Sequence, residues 1–349
     1  MSDNVSIRTE RENRPDYIFV LIILAGMSVY YYGARAAVVI GVSVLSCCLT
    51  DFVCCKLRGR SSRASLADLG AVTTGLTLAM MMPASVRYTV LAGAAVLSIV
   101  IGRYIFTFKD GRIFNCAAIG FLMMALSFPD TVLTYPKPFV FPELANDVTV
   151  NLGQSLSKTL TLTDDPSLTP LDLLTGQYYG PMGACHMLIL LVCAVILVGR
   201  RSVSGLTLFS ASAVLLTFTY FYHPYGRTPI SGVLLTYCSG MLLFGLIFLV
   251  CDSSAVPKTR LARFIYGLLA GLFIVAFRFY GKAENAVVYA ALAVSPLSGE
   301  IDCMTDNARE LFARLFRSKK NIPQQNAEKL LEDMPVMQFT IDGGDENER

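Results

Sequence analysis

Long apolar segments joined by short polar connections constrain this chain more than any other feature of its sequence. We identify ten such segments, several of them shorter than the roughly 20 residues that a helix needs to cross a bilayer without tilting. Because an apolar segment in lipid must satisfy its backbone hydrogen bonds internally, each is predicted to be a helix. The sequence therefore predicts an all-α polytopic membrane protein. The ten segments are residues 17–32, 36–55, 66–82, 88–106, 116–128, 183–198, 203–222, 232–250, 264–279 and 285–297.

The composition supports a membrane protein and argues against a nucleic-acid-binding one. Charged residues make up 16% of the chain, whereas soluble domains contain about 25%. The net charge of +3 is too small to indicate a nucleic-acid partner. Residues 1–16 are polar, contain three arginines and are followed by no small-residue cleavage site, so we interpret them as a cytoplasmic lead rather than a signal peptide.

The distribution of Lys and Arg predicts the orientation of the chain. Basic residues cluster after the second, fourth, sixth and eighth apolar segments and in the tail, and the alternate connections carry fewer. Because cytoplasmic loops are enriched in Lys and Arg, both termini are predicted to be cytoplasmic. The predicted regions are a lead (1–16), a first membrane half (17–128), an extracytoplasmic loop (129–181), a second membrane half (182–300) and a cytoplasmic tail (301–349).

Two parts of the chain share a pattern. An apolar segment ending near Arg103 is followed by a polar turn and by Asn115, and a segment ending near Arg278 is followed by a turn and by Asn285. The two copies start on opposite sides of the predicted membrane, so they predict an inverted five-plus-five repeat with shared sites near the midplane. Chance similarity between apolar helices is the alternative.

Several ionisable residues have two possible roles. Arg103 and Arg278 either extend to the membrane interface or face a cavity or an anionic cofactor, since charged groups within membranes tend to be functional. Asp68 and Asp252 either cap helices or line a cation pathway. The ten cysteines lack the paired spacing of metal sites and are interpreted as small packing residues.

The polar loop contains the motif Ser167-Leu168-Thr169-Pro170-Leu171, the one place where the sequence suggests covalent chemistry. Considered alone, Thr169 is also a reasonable turn residue or helix N-cap. Asp164, Asp165 and Pro166 precede the motif and suit a turn equally well.

Several segments resemble a known family of membrane proteins. The family contains the D subunit of Rnf-type ion-translocating electron transport complexes and the B subunit of the sodium-pumping NADH:quinone reductase. The resemblance covers about residues 17–306. The segments that carry it are 56–60, 68–83, Phe114-Asn115-Cys116-Ala117-Ala118-Ile119-Gly120 (similar to the family's Phe-Asn-Pro-Ala-x-x-Gly), 248–257 and Arg278-Phe279-Tyr280-Gly281 (matching Arg-x-Tyr-Gly).

The resemblance implies a flavoprotein. The family carries FMN as a phosphoester on the threonine of a Ser-Gly-Ala-Thr-Pro-Leu motif, to which Thr169 corresponds, with Ser167 beside it. This chain departs from the family because Leu168 replaces Gly-Ala, and glycine would give the loop freedom to enter the attaching enzyme. A second, non-covalent flavin, riboflavin, is implied among the helices. Asn115, Arg103 and Arg278 are the other candidate cofactor-binding residues.

The function implied by the resemblance is that of one component of a complex rather than of a stand-alone enzyme. The chain would sit in a bacterial inner membrane with the other subunits of an Rnf-type complex. It would couple electron transfer involving ferredoxin and NAD to transport of sodium ions or protons. Two alternatives stay open: a flavin-free scaffold within such a complex, and a small-solute channel or transporter built on the same repeat.

Overall fold

The structure is a computed structural model, and it describes residues 2–58, 69–108, 111–112, 114–144, 152–163, 170–222, 229–239, 241–252 and 256–309. The chain divides into two compact units, Met1–Asp302 and Cys303–Arg349. The first unit is the helical bundle; the described part of the second, up to Arg309, is helical. Several residues singled out from the sequence lie outside the described residues, among them Asp68, Asp164, Asp165, Pro166, Ser167, Leu168 and Thr169.

The bundle is built from helices, and three of them continue into π-helical segments. The helices are α1 (Ser2–Tyr32), α2 (Ala34–Leu57), α3 (Gly70–Met81), α4 (Tyr88–Ile99, then π-helix Val100–Ile105), α5 (Cys116–Ser127), α6 (Pro129–Val132), α7 (Leu156–Thr163), α8 (Pro170–Thr175), α9 (Met187–Gly199), α10 (Gly205–Tyr222), α11 (Pro229–Cys238), α12 (Leu242–Gly245, then π-helix Leu246–Val250), α13 (Arg260–Val275, then π-helix Ala276–Tyr280), α14 (Ala286–Val294) and α15 (Leu297–Arg309).

Each of the ten predicted apolar segments contains a helix, but the helices differ in length. Within the described residues, five helices are long and apolar enough to cross a membrane, or up to seven if each of two bent pairs is one span. The bent pairs join α11 to α12 and α14 to α15. The remaining segments, α3, α5 and α9, are shorter apolar helices of 10–17 residues. The structure therefore supports a multi-pass all-α protein, while ten complete crossings stay a prediction.

Local sequence signals explain where several helices begin and end. Gly33 separates α1 from α2 at φ +71°, a conformation that glycine adopts without the Cβ clash of other residues. Asn115 caps α5, because its side-chain oxygen accepts from the Ala117 amide at 3.0 Å. Thr259 caps α13 in the same way through the Ala262 amide at 3.2 Å.

Small residues allow the helices to approach closely. A Cβ at Gly120 would lie 2.5 Å from the Ala94 carbonyl oxygen, so α5 packs directly on the backbone of α4. The outward surface carries large apolar side chains, including Leu45 and Val195, which are 71% and 74% exposed. An exposed apolar surface of this extent suits contact with lipid.

Two short hairpins occur in the connections. Strands β1 (Thr107–Phe108) and β2 (Gly111–Arg112) pair antiparallel between α4 and α5. Strands β3 (Thr134–Pro136) and β4 (Leu152–Gln154) pair antiparallel inside the predicted outer loop. That loop is held to the bundle by backbone contact, since the Phe139 amide donates to the Tyr31 carbonyl at 3.0 Å.

Candidate functional site

A buried ion pair joins α2 to the π-helical end of α4. The Asp51 carboxylate is 1% exposed, and Arg103 Nε lies 3.4 Å from its Oδ1 atom. The Tyr104 hydroxyl donates to the same oxygen at 2.9 Å and contacts the Cys55 sulfur at 3.0 Å. The structure thus places Arg103 against a carboxylate of its own chain. Such a pair is costly to break, because either partner alone would leave a buried charge.

Asn115 links the beginning of α5 to the end of the π-helical segment after α12. Its Nδ2 atom donates to the Phe248 carbonyl at 3.1 Å and to Asp252 Oδ2 at 3.3 Å, while its Oδ1 atom serves as the cap. The Phe248 carbonyl also accepts from the Tyr17 hydroxyl at 2.8 Å. One carbonyl on the second membrane half is therefore bound by side chains from α1 and from the start of α5.

Arg278 lies in the π-helical segment after α13 and is 7% exposed. Its guanidinium donates to the Ser239 carbonyl at 3.2 Å and also to the Ser239 hydroxyl. Ser239 directly follows α11, where the last carbonyls of a helix carry partial negative charge. Arg278 therefore binds the C-terminal end of the first half of a bent helix pair.

The pattern that the two sequence copies share recurs in their local structure. Arg103 and Arg278 both lie in π-helical segments that extend a longer α-helix. Asn115 and Asn285 both occupy the residue before the next helix, α5 and α14 respectively. π-helical turns inside longer helices are frequent at functional sites.

A buried polar cluster lies where the outer loop meets the start of α14. Burial raises the pKa of Glu284 above its usual value, against the opposing effects of a hydrogen bond from Ser155 and the nearby Lys158 ammonium. Tyr135 faces Glu284 and is fully buried, and burial together with that carboxylate raises the pKa of its hydroxyl. Asn285, 5% exposed, completes the cluster.

The helix that follows Thr169 is anchored to the bundle. Helix α8 begins at Pro170, and its Leu173 side chain is buried against Leu235 and Cys238 of α11. The Thr175 carbonyl at the end of α8 accepts from the Tyr31 hydroxyl of α1 at 2.9 Å. The chain leaving the predicted flavin threonine is thus fixed on two sides, although Ser167 and Thr169 themselves lie outside the described residues.

A second flavin would need a cavity with aromatic walls and polar groups for its ring edge. A cavity of about 530 Å³ lies between α10 and α13 and is lined by aromatic and aliphatic side chains, including Phe218 and Phe221. Apart from Tyr222, the one lining residue with a hydroxyl group is Thr217, and this hydroxyl donates to the Ala213 carbonyl at 2.7 Å. This lining suits an acyl chain better than riboflavin, so we assign no riboflavin-binding residues to it.

Several residues of these networks were not identified from the sequence. Asp51 gave a usable signal, since a single carboxylate inside an apolar segment is expensive and tends to be functional. Arg35 gave a similar signal, because it is a single charge between two apolar segments. In the structure it is 1% exposed, and its Nε atom donates to the Ala84 carbonyl at 2.8 Å. Phe248 acts through its backbone carbonyl, and Ser239 acts through its carbonyl as well as its hydroxyl. A sequence carries no signal for a backbone acceptor.

Comparison with known proteins identifies relatives over most of the chain. The model of a family described as "NQR2, RnfD, RnfE family" matches residues 6–309. A protein of Actinobacillus succinogenes, named as the D subunit of an ion-translocating oxidoreductase complex, is 23% identical over 311 residues, covering 79% of this chain and 86% of that protein.

Two further relatives carry the same name. The protein of Haemophilus influenzae strain PittGG is 24% identical over 322 residues, with 79% of this chain and 88% of that protein covered. The protein of Pectobacterium carotovorum is 24% identical over 336 residues, with 85% and 95% covered. The similarity thus extends over nearly the whole length of each relative.

Proposed function

The chain belongs to the NQR2, RnfD, RnfE family, and on that basis we propose that it is a flavin-carrying membrane subunit of an ion-translocating oxidoreductase complex. Three relatives, which match 79–85% of this chain, are named as the D subunit of such a complex. Its partners would be the other subunits of that complex and the surrounding lipid. The apolar helices supply the multi-pass membrane part.

The observation that carries the flavin proposal is the anchoring of α8. Because Leu173 is buried against α11 and the Thr175 carbonyl is bound by Tyr31, the helix that begins at Pro170 has a fixed position on the bundle. A covalently attached group on Thr169 would then be held close to the outer end of the bundle. Thr169 is the proposed phosphoester-bearing residue, and Ser167 lies two residues before it.

FMN bound at Thr169 would supply the redox chemistry, as flavins exchange one or two electrons. This chain's own residues would position the group rather than make or break bonds. The direction of electron flow involving ferredoxin and NAD follows from the resemblance alone and belongs to the proposal.

Ion transport is proposed to use the bent and π-helical segments whose backbone carbonyls Asn115 and Arg278 bind. Asn115 and Arg278 each bind a backbone carbonyl near a bent or π-helical segment, where carbonyls not used within the helix can serve as ligands. The matching positions of the π-helical segments and of Asn115 and Asn285 support an inverted repeat. Either sodium or a proton would be the transported ion.

The location of basic residues supports the proposed cytoplasmic termini; the bacterial inner membrane is proposed from the resemblance. Arg200 pairs with Asp16, which places the predicted lead and the end of α9 at the same end of the bundle. The predicted outer loop packs at the opposite ends of α1 and α2, through Tyr31 and Arg35. This arrangement agrees with the alternation of charged connections.

Flavin fluorescence of the denatured chain in a gel tests the proposal. The chain is produced in cells that contain the flavin-attaching enzyme, as wild type, Thr169→Ala and the control Thr175→Ala at the other end of α8. We expect fluorescent wild-type and control bands and a dark Thr169→Ala band.

A dark wild-type band would remove the covalent flavin and favour the flavin-free scaffold. Fluorescence that persists in Thr169→Ala would show that another residue carries the group. Loss of fluorescence in Thr169→Ala with unchanged electron transfer by the assembled complex would show that the attached flavin is not needed for electron transfer, and it would favour a scaffold role for the chain.

A further inference from the structure

A cavity of about 400 Å³ opens at the end of the bundle that carries the basic connections. It is enclosed by the end of α9, the beginning of α10 and the first turn of α13. Three arginines from two separate connections line it: Arg201, Arg260 and Arg263. Its remaining walls are Ser204, Gly205 and the apolar side chains Val198, Val203, Leu206 and Val256.

The three arginines share one cavity. The lining contains no acidic residue, and among the described residues none lies within ion-pair distance of these arginines. Arg263 uses its Nε atom to donate to the Pro257 carbonyl at 2.9 Å, which leaves its terminal nitrogens for other partners. Bringing like charges together is unfavourable unless an anion binds between them.

The neighbouring carboxylates are engaged elsewhere. Asp16 pairs with Arg200, the residue next to Arg201. Asp302 accepts from the backbone amides of Lys258 and Thr259, at 2.9 Å and 3.2 Å. Asp252, whose backbone pairs with that of Val203 in the cavity wall, accepts from Asn115 Nδ2 at 3.3 Å. The contacts of Asp302 hold the beginning of α13, which carries Arg260 and Arg263.

We propose that this cavity binds the phosphate group of an anionic membrane lipid. A guanidinium group binds phosphate oxygens with two parallel hydrogen bonds. A cluster of three such groups in a cavity without a carboxylate favours the binding of a phosphate anion. The cavity lies beside the end of α9 and the beginnings of α10 and α13, where the headgroup of a surrounding lipid would meet helices that cross the membrane. Its valine and leucine walls suit the glycerol and upper acyl carbons. A free phosphate ion shares the charge but gains nothing from those walls.

Lipid titration of the full chain in detergent tests the proposal. Phosphatidylglycerol, phosphatidylcholine and inorganic phosphate are each added at constant ionic strength, and the apparent lipid affinity is taken from the shift of the thermal midpoint. We expect stabilisation by phosphatidylglycerol alone. Because Arg201→Gln/Arg260→Gln removes two direct guanidinium contacts to the phosphate, it should weaken phosphatidylglycerol binding roughly 30-fold, which corresponds to about 2 kcal/mol.

Two further variants separate the site from general charge and from folding defects. Lys56→Gln/Arg309→Gln removes the same charge from other basic positions and should bind like wild type. Arg201→Lys/Arg260→Lys keeps the charge and should retain part of the affinity. Equal phosphatidylglycerol affinity in the glutamine variant and wild type would overturn the site. An equal effect of inorganic phosphate, or of phosphatidylcholine, would overturn the assignment to an anionic lipid.

Discussion

Asn115 offers the sharpest test of how the two membrane halves are joined. Its amide caps α5 and at the same time binds the Phe248 carbonyl and Asp252. Asn115→Ala removes all three contacts. Asn115→Asp keeps an oxygen for the Ala117 amide but loses the Nδ2 donor and places a second carboxylate beside Asp252. The two variants therefore separate the cap from the bridge.

The expected loss follows from these contacts. A lost N-cap costs about 1 kcal/mol, and each hydrogen bond contributes a net ~1 kcal/mol, somewhat more toward a charged group such as Asp252. Asn115→Ala should therefore lower the free energy of unfolding by about 3 kcal/mol. Thr259→Ala, which removes only the cap of α13, should lose about 1 kcal/mol. Asn115→Asp should lose at least as much as Asn115→Ala at neutral pH.

Thermal unfolding monitored with a thiol-reactive dye suits this chain. It has no tryptophan, whereas seven of its ten free cysteines are buried and react only on unfolding. A change of 1 kcal/mol shifts the midpoint by roughly 2–4 °C for a chain of somewhat smaller size. We therefore expect a decrease of about 6–12 °C for Asn115→Ala and about 2–4 °C for Thr259→Ala.

Two results would contradict this reasoning. If Asn115→Ala loses no more than Thr259→Ala, the side chain acts as a cap alone and does not hold the halves together. If Asn115→Asp is as stable as wild type, the Nδ2 contacts to Phe248 and Asp252 contribute nothing measurable.

Three further predictions use the same assay. Arg103→Gln should lower the free energy of unfolding by about 3 kcal/mol, because it leaves the Asp51 carboxylate buried without its ion-pair partner. Adding Asp51→Asn should restore part of that stability. A double variant no more stable than the single variant would argue against the ion pair. Because the pKa of Glu284 is raised in the folded state, ionisation of this carboxyl group destabilises the fold. The destabilisation is absent below the pKa of the unfolded chain, near 4.5, and it develops as pH rises from there through the raised pKa of the folded state. The wild-type midpoint should accordingly fall with pH over that window more than that of Glu284→Gln, and parallel curves would refute this. Gly267→Ala should cost about 1–3 kcal/mol, since its Cβ would clash with the Ser210 hydroxyl; an unchanged midpoint would refute the close packing of α10 on α13.

The helices themselves were predictable from sequence because lipid leaves an apolar segment few alternatives. All ten predicted segments contain a helix, and the cap at Asn115 and the break at Gly33 follow from side-chain chemistry and from the absence of a Cβ. Span length was less predictable. The bend between α11 and α12 lies beside the Ser239 carbonyl, which Arg278 binds. The π-helical segment after α12 contains the Phe248 carbonyl, which Asn115 binds. Both partners are far away in the sequence.

The candidate site likewise contains residues that were predictable from the sequence and partners that were not. Arg103 and Arg278 were identified from sequence because charges at the ends of apolar segments are conspicuous, yet their partners were not. Arg103 binds the carboxylate of Asp51, a residue that the sequence pattern alone did not single out, and Arg278 binds the carbonyl of Ser239. The assignment of flavin to Thr169 stays a prediction from the resemblance.

The sequence by itself determined that the chain is a helical membrane protein, which family it resembles and where its basic connections lie. These properties depend on composition and local pattern, which are written in consecutive residues. Only the tertiary structure decided that Asn115 joins the two halves through the Phe248 carbonyl and that Arg201, Arg260 and Arg263 line one cavity. Backbone acceptors and convergent side chains have no sequence signature, because they arise from contacts between segments far apart in the chain.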